Sequence, residues 1–126
     1  GTTINQTIIA EGSIIHAAEI SNSVIGIRSR IGKGSKIVSC YIMGNDFYET
    51  MEEINHNNER NIPKVGIGDN CELVNVIADK DCRIGNNVTI LGGHHLENGD
   101  HSLFSIKDGI VVVKKGAIIN DGFELR

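Results

Sequence analysis

Lys80, Lys115 and Arg28 are the residues of this 126-residue chain whose types and placement point most directly to a chemical task. Lys80 follows Ala78 by two residues and Lys115 follows Val113 by two, and Ala78 and Val113 hold the same place in adjacent turns of a repeat. The two ammonium groups therefore stand one rung apart, where unscreened like charges repel by about 1 kcal/mol even at the dielectric of bulk water. An anion between them removes that cost. Arg28, at the fourth position of its own repeat unit, adds a planar fork suited to phosphate, and Lys107 and Lys114 lie close in sequence. The bland alternative is a set of long side chains that splay into solvent.

Two other groups have chemistry-bearing types. His94 and His95 follow Gly92 and Gly93, and a loop imidazole is a usable general base. No carboxylate is placed by spacing to orient either ring, so the pair reads better as an exposed element of a glycine-rich loop. Cys40, Cys71 and Cys82 are odd in number; Cys71 and Cys82 fall at a small, inward position of the repeat, which predicts buried thiols and a reducing compartment. No Cys-x-x-Cys or histidine spacing supports a structural zinc. A nucleophile elbow, a Walker loop and a metal-binding constellation are all missing, so the chain alone carries no self-contained catalytic machinery.

The element that must position these residues is a six-residue repeat. Ile9, Ile15, Ile20, Ile25, Ile31, Ile37 and Ile42 recur at spacings of six or five; the beat resumes at Ile67, Leu73, Ala78, Ile84 and Ile90, and again at Val113, Ile119 and Leu125. Neither a helix nor an alternating strand has that period; a stacked repeat does. Counting the pacing residue as position one, position four is Gly12, Gly34, Asn70, Asp81, Asn87, Gly116 or Gly122, residue types that accept a left-handed backbone and hence a tight corner. Position five is mostly small: Ser13, Ser29, Ser35, Cys71, Cys82, Val88 and Ala117. Three short strands joined by three corners form a triangular coil of about eighteen residues, and stacked coils pair their strands in parallel about 4.8 Å apart. The expected fold is an all-β, single-stranded parallel β-helix over residues 1–126, with about five coils beginning at Ile9, Ile25, Ile42, Ala78 and Val113.

Composition agrees with one repeat-built domain. Three Phe, two Tyr and no Trp leave the interior to β-branched residues, which suit strands. The formal charge of −4 and the scattered placement of twelve Lys and Arg argue against a nucleic-acid surface. No apolar run approaches the roughly twenty residues of a membrane span, and no charged-then-apolar leader is visible. Two segments break the period. Gly44 to Pro63 is expected to leave the prism edge as a loop with a helical turn around Thr50 to Asn58; Gly92 to Asp108 is expected to be a second loop, pinned back by Phe104. Loops on such scaffolds are where function is commonly added.

Several segments are more specific than the repeat: Ser23-Val24-Ile25-Gly26-Ile27-Arg28-Ser29, Met43-Gly44-Asn45-Asp46-Phe47-Tyr48-Glu49-Thr50, Ile67-Gly68-Asp69-Asn70-Cys71, Asp79-Lys80-Asp81-Cys82-Arg83-Ile84-Gly85-Asn86-Asn87-Val88, and Asp108-Gly109-Ile110-Val111-Val112-Val113-Lys114-Lys115. With them the whole chain resembles the C-terminal domain of glucose-1-phosphate adenylyltransferase (ADP-glucose pyrophosphorylase), most closely the plant and cyanobacterial type. The resemblance implies a left-handed coil, although right-handed crossovers are the general rule for parallel strands. It implies a parent enzyme that makes ADP-glucose and pyrophosphate from ATP and glucose 1-phosphate, with magnesium, toward glycogen or starch. That chemistry belongs to an N-terminal nucleotidyltransferase domain that this chain does not contain. ATP and magnesium are implied for the absent domain, and no cofactor for this one, which by itself should be inactive.

The resemblance further implies homo- or hetero-oligomers, docking to the chain's own catalytic domain, and a share in an effector site. Lys80 and Lys115 match two lysines associated with the activator 3-phosphoglycerate, where phosphate inhibits, and Arg28 matches an arginine of the same anion-binding region. Cytoplasm, or the plastid stroma in a plant, is the implied location, and the opening residues read as the continuation of a longer protein. Departures from the family pattern fall after Thr50, at Gly92-Gly93-His94-His95 and at Lys114. Two alternatives stay open: a small acyltransferase of the same repeat class working as a trimer with His94 or His95 as base, and a purely structural oligomerisation module.

Overall fold

The pacing residues stack into three inward columns. In the computed structural model, which describes all residues from Gly1 to Arg126, Ile9, Ile25, Ile42, Ala78 and Val113 are paired in register along one face. Ile15, Ile31, Ile67, Ile84 and Ile119 line a second face. Ile4, Ile20, Ile37, Leu73, Ile90 and Leu125 line a third. Every one of these pairings is parallel, so the chain is a triangular parallel β-helix whose five first-face strands are those the spacing predicts. The columns from the second coil to Ile119 are buried, while Ile9, Ile15 and Leu125, on the end coils, are half-buried and pack against the same core. Parallel pairing suits this sequence because each inward aliphatic of these short strands is flanked above and below by its counterparts in the neighbouring coils.

Corners follow from local chemistry. All seven residues expected to turn in a left-handed conformation do so, with φ between 54° at Asn70 and 77° at Gly122. The five-residue units leading into the first face turn earlier, at the second residue after the pacing one: Gln6, Asn22, Ser39 and Asn75 have φ between 46° and 54°. Shortening the unit by one residue moves the turn; it does not remove it. The glycine directly after the pacing isoleucine has a different task. A Cβ on Gly26 would lie 2.3 Å from the Met43 carbonyl oxygen, and one on Gly68 would lie 2.4 Å from that of Gly85. Coil-to-coil contact at these corners leaves no room for any side chain.

Side-chain oxygens then tie the corners vertically. Along the second-face edge, Asp69 Oδ1 accepts from the Lys33 amide at 2.9 Å, Asn86 Oδ1 from the Asp69 amide at 2.9 Å, and Asp121 Oδ1 from the Asn86 amide at 2.8 Å. Inside, the Ser35 hydroxyl donates to the Gly68 carbonyl and accepts from the Cys71 amide. No buried side-chain polar atom lacks a partner, as a folded interior requires.

The first interruption contains helix α1, Met51–Glu59, where the helical turn is expected. A capping box starts it: the Thr50 hydroxyl accepts from the Glu53 amide at 3.1 Å, and the Glu53 carboxylate accepts from the Thr50 amide at 3.2 Å, satisfying two otherwise orphaned donors. No residue of α1 is buried, so polar straps hold the insertion in place. The second interruption departs from expectation. It is not a plain loop but a β-meander: Gly99–Asp100 pairs antiparallel with Phe104–Lys107, which pairs antiparallel with Ile110–Val113. Asp108 and Gly109 turn it, with φ of 50° and 82°, the two left-handed residues a tight hairpin turn needs. Phe104 packs against the core, edge-on to Phe123 with ring centres 5.9 Å apart. The added strands cover the open edge of the first face.

Candidate anion-binding site

The lysines and Arg28 lie on one corner of the prism, where the chain leaves the first face. Stacked hydrogen bonds fix the order of its rungs: the Arg28 amide donates to Glu11, Asn45 to Ile27, Asp81 to Gly44 and Gly116 to Lys80. Lys80 and Lys115 therefore occupy the same position on adjacent rungs. Arg28 belongs two rungs above Lys80, and the rung between them carries Gly44, Asn45 and Asp46. The structure thus brings Lys80 and Lys115 directly together and Arg28 to the same corner at longer range.

Arg28 is held firmly. Its backbone is left-handed, at φ 55°, a conformation that costs a non-glycine residue roughly 1–2 kcal/mol. The buried Asn45 offsets this strain: its side-chain amide donates to the Arg28 carbonyl at 2.8 Å, while Arg28 Nε donates to the Asn45 carbonyl at 3.0 Å. The guanidinium borders a cleft of about 210 Å³ with Glu11, Gly12, Ile27 and Tyr48, and the Tyr48 hydroxyl closes its rim by donating to the Gly12 carbonyl at 2.9 Å.

Lys80 Nζ forms an ion pair with Asp46 Oδ1 at 3.1 Å, with both side chains close to half exposed. The hydrogen bond from Lys80, helped at longer range by Lys115 and Arg28, holds the Asp46 carboxyl below its ordinary value. Lys115 is exposed and belongs to none of the four ion pairs of the fold. Lys114 faces the meander, bonded to Asp100 at 2.7 Å and to the His101 carbonyl, and Lys107 sits on the added strand opposite Ile110. Neither of these two sequence neighbours is bonded at the corner.

A family model described as the GLGC left-handed parallel beta-helix domain matches residues 1–123. The chain belongs to that family. The left hand of the coil, taken above from resemblance, goes with this assignment, and the match accords with the C-terminal domain of glucose-1-phosphate adenylyltransferase. In this GLGC β-helix domain no group of three or more His, Cys, Asp or Glu side chains is arranged to hold a metal ion. No helix is long and apolar enough to cross a membrane.

His94 and His95 are exposed in a turn after Gly93, and His95 folds back so that a Cβ on Gly93 would meet its Nδ1 at 2.8 Å. No ion pair of the domain includes either ring. The three cysteines are free and buried. Burial pushes the Cys40 and Cys82 thiols up to about 11 and raises Cys71 as well.

Sequence reasoning missed a second charged centre. Arg83 Nη1 bonds Glu49 Oε2 at 2.8 Å and the Pro63 carbonyl at 3.0 Å. Glu49 Oε1 accepts from the Val65 amide at 2.7 Å, and Arg30 Nε donates to the Val65 carbonyl at 2.9 Å. The side chain of Glu49 is only 5% exposed. Burial alone would raise its pKa, but the Val65 amide and Arg83 outweigh it and hold the carboxyl below its ordinary value. This pair closes the base of the first insertion onto the second face. Arg30 and Arg83 share the outward register of that face on either side of Gly66, a signal present in the repeat once its alternate positions are read as well.

Proposed function

We propose that this domain is the regulatory and assembly part of a glucose-1-phosphate adenylyltransferase, and that it contributes Lys80, Lys115 and Arg28 to the site of a phosphorylated effector resembling 3-phosphoglycerate, or of phosphate itself. The observation that carries this reading is the shared position of Lys80 and Lys115 on adjacent rungs, with Lys115 left outside every ion pair. Family membership supports the reading of the parent enzyme: ADP-glucose synthesis from ATP and glucose 1-phosphate, in a cytoplasmic or plastid pathway to glycogen or starch, would be performed by a separate nucleotidyltransferase domain against which this prism would dock. Homo- or hetero-oligomers are part of the reading, because a stack of short parallel strands ends in unpaired edges that recruit partners.

Titration of the 126-residue chain with 3-phosphoglycerate tests the ligand assignment. Half of the site would come from the catalytic domain, so weak, salt-sensitive binding is expected. It should weaken about tenfold in Lys115→Ala, the loss of one charge-assisted contact. Equal binding by Lys115→Ala and the parent chain would remove the assignment.

A further inference from the structure

We propose that Asp46 is a resident competitor at the anion site: its carboxylate occupies the place on Lys80 that a phosphate group takes, and a phosphorylated ligand binds by displacing it. This rests on the reading of Lys80 and Lys115 as the anion site and adds a regulator to it.

Three observations place Asp46 in that role. Its rung lies between those of Arg28 and Lys80, so its carboxylate stands on the same corner as both and bonds Lys80. The Lys80–Asp46 contact is made by side chains 43% and 49% exposed, a solvated pair that is weak and easily exchanged. The backbone beneath it is tied independently: the Asp46 amide donates to Asp81 Oδ1 at 2.9 Å, and Asn45 is locked to Arg28 on both sides. The Asp46 side chain is therefore free to rotate off Lys80 while its rung stays in place. The low pKa of Asp46, set first by Lys80 and further by Lys115 and Arg28, is consistent with a charge held among all three.

Chemistry favours the exchange in one direction. A phosphate monoester carries a charge of about −1.5 to −2 near neutral pH and three acceptor oxygens, enough to engage Lys80 and Lys115 at once. Asp46 brings a single negative charge and is bonded to Lys80 alone. Simple monoanions gain little over the carboxylate already present, whereas a doubly charged phosphate does. Asp46 thus lowers affinity for every anion and selects for multiply charged ones.

The test is inorganic phosphate binding to the 126-residue chain at low ionic strength, followed through the amides of Lys80 and Gly116 by NMR. Asp46→Asn keeps the backbone donor to Asp81 and should tighten phosphate about fivefold. Glu52→Gln makes the same change in net charge on the exposed first turn of α1 and should leave the affinity where it was. Asp46→Ala serves as a second variant, expected to match Asp46→Asn. No tightening in either Asp46 variant, while Lys80→Ala and Lys115→Ala still weaken phosphate, overturns the competitor and leaves the anion site standing. Equal tightening in Glu52→Gln also overturns it, since net charge would then account for the effect. Unchanged phosphate affinity in Lys80→Ala and Lys115→Ala removes the anion site and this inference together.

Discussion

At the scale of single residues, burial decides which groups are chemically available. Cys40 and Cys82 are pushed up to about 11 by burial, and a thiol attacks only as its thiolate. Native protein at about pH 8 should therefore react with a disulfide reagent far more slowly than unfolded protein, with three thiols released together on unfolding. Rapid labelling of any of the three in the native state would contradict their inward placement. Because their folded values lie above the ordinary 9, these groups support the fold fully below pH 9, and that support drains away as pH rises toward 11. Glu49 works in the opposite sense: its folded value lies below the ordinary 4.5, so its contribution is present above that pH and is lost as the pH falls through the folded value. Glu49→Gln should cost about 1.5 kcal/mol at neutral pH, read as a lower chemical-denaturation midpoint. The gap from the parent chain should close on acidification; a gap that persists unchanged would mean that the charge contributes nothing.

At the scale of elements, the corners govern stability as much as the strands do. Gly68 sits where a Cβ would overlap the Gly85 backbone, so Gly68→Ala should destabilise by about 2–3 kcal/mol. Gly116 meets nothing within 4 Å and matters only through its φ of 69°, so Gly116→Asn should cost well under that. Thermal unfolding of the two variants separates crowding from backbone conformation. The same distinction explains how much of the fold was legible in the sequence. Columns and corners could be read because one period fixes both, and the Ile-to-Ile spacing carried the register from Ile9 to Val113. The helical turn around Thr50 to Asn58 was read without its cause, which is the capping box of Thr50 and Glu53. The meander was missed because Phe104-Ser105-Ile106-Lys107 alternates with period two inside a segment recognised only by its loss of period six. Asp108-Gly109 was the available signal.

At the scale of the whole molecule, the prism converts sequence position into a vertical coordinate, which is why Lys80 and Lys115, 35 positions apart in sequence, share a corner. Register alone made these two legible. Asp46 and Glu49 were hidden because they lie in the insertion, where counting by six stops and only three-dimensional closure tells which rung they return to. The Lys80–Asp46 and Glu49–Arg83 ion pairs lie at opposite ends of the short Asp46–Glu49 segment. In the proposed function a phosphorylated metabolite acts through the lysine corner. The most direct measurement is the activation curve of a glucose-1-phosphate adenylyltransferase carrying this domain, titrated with 3-phosphoglycerate. Lys80→Ala and Lys115→Ala should each raise the half-activating concentration about tenfold; activation curves that superimpose on that of the parent enzyme would contradict the account.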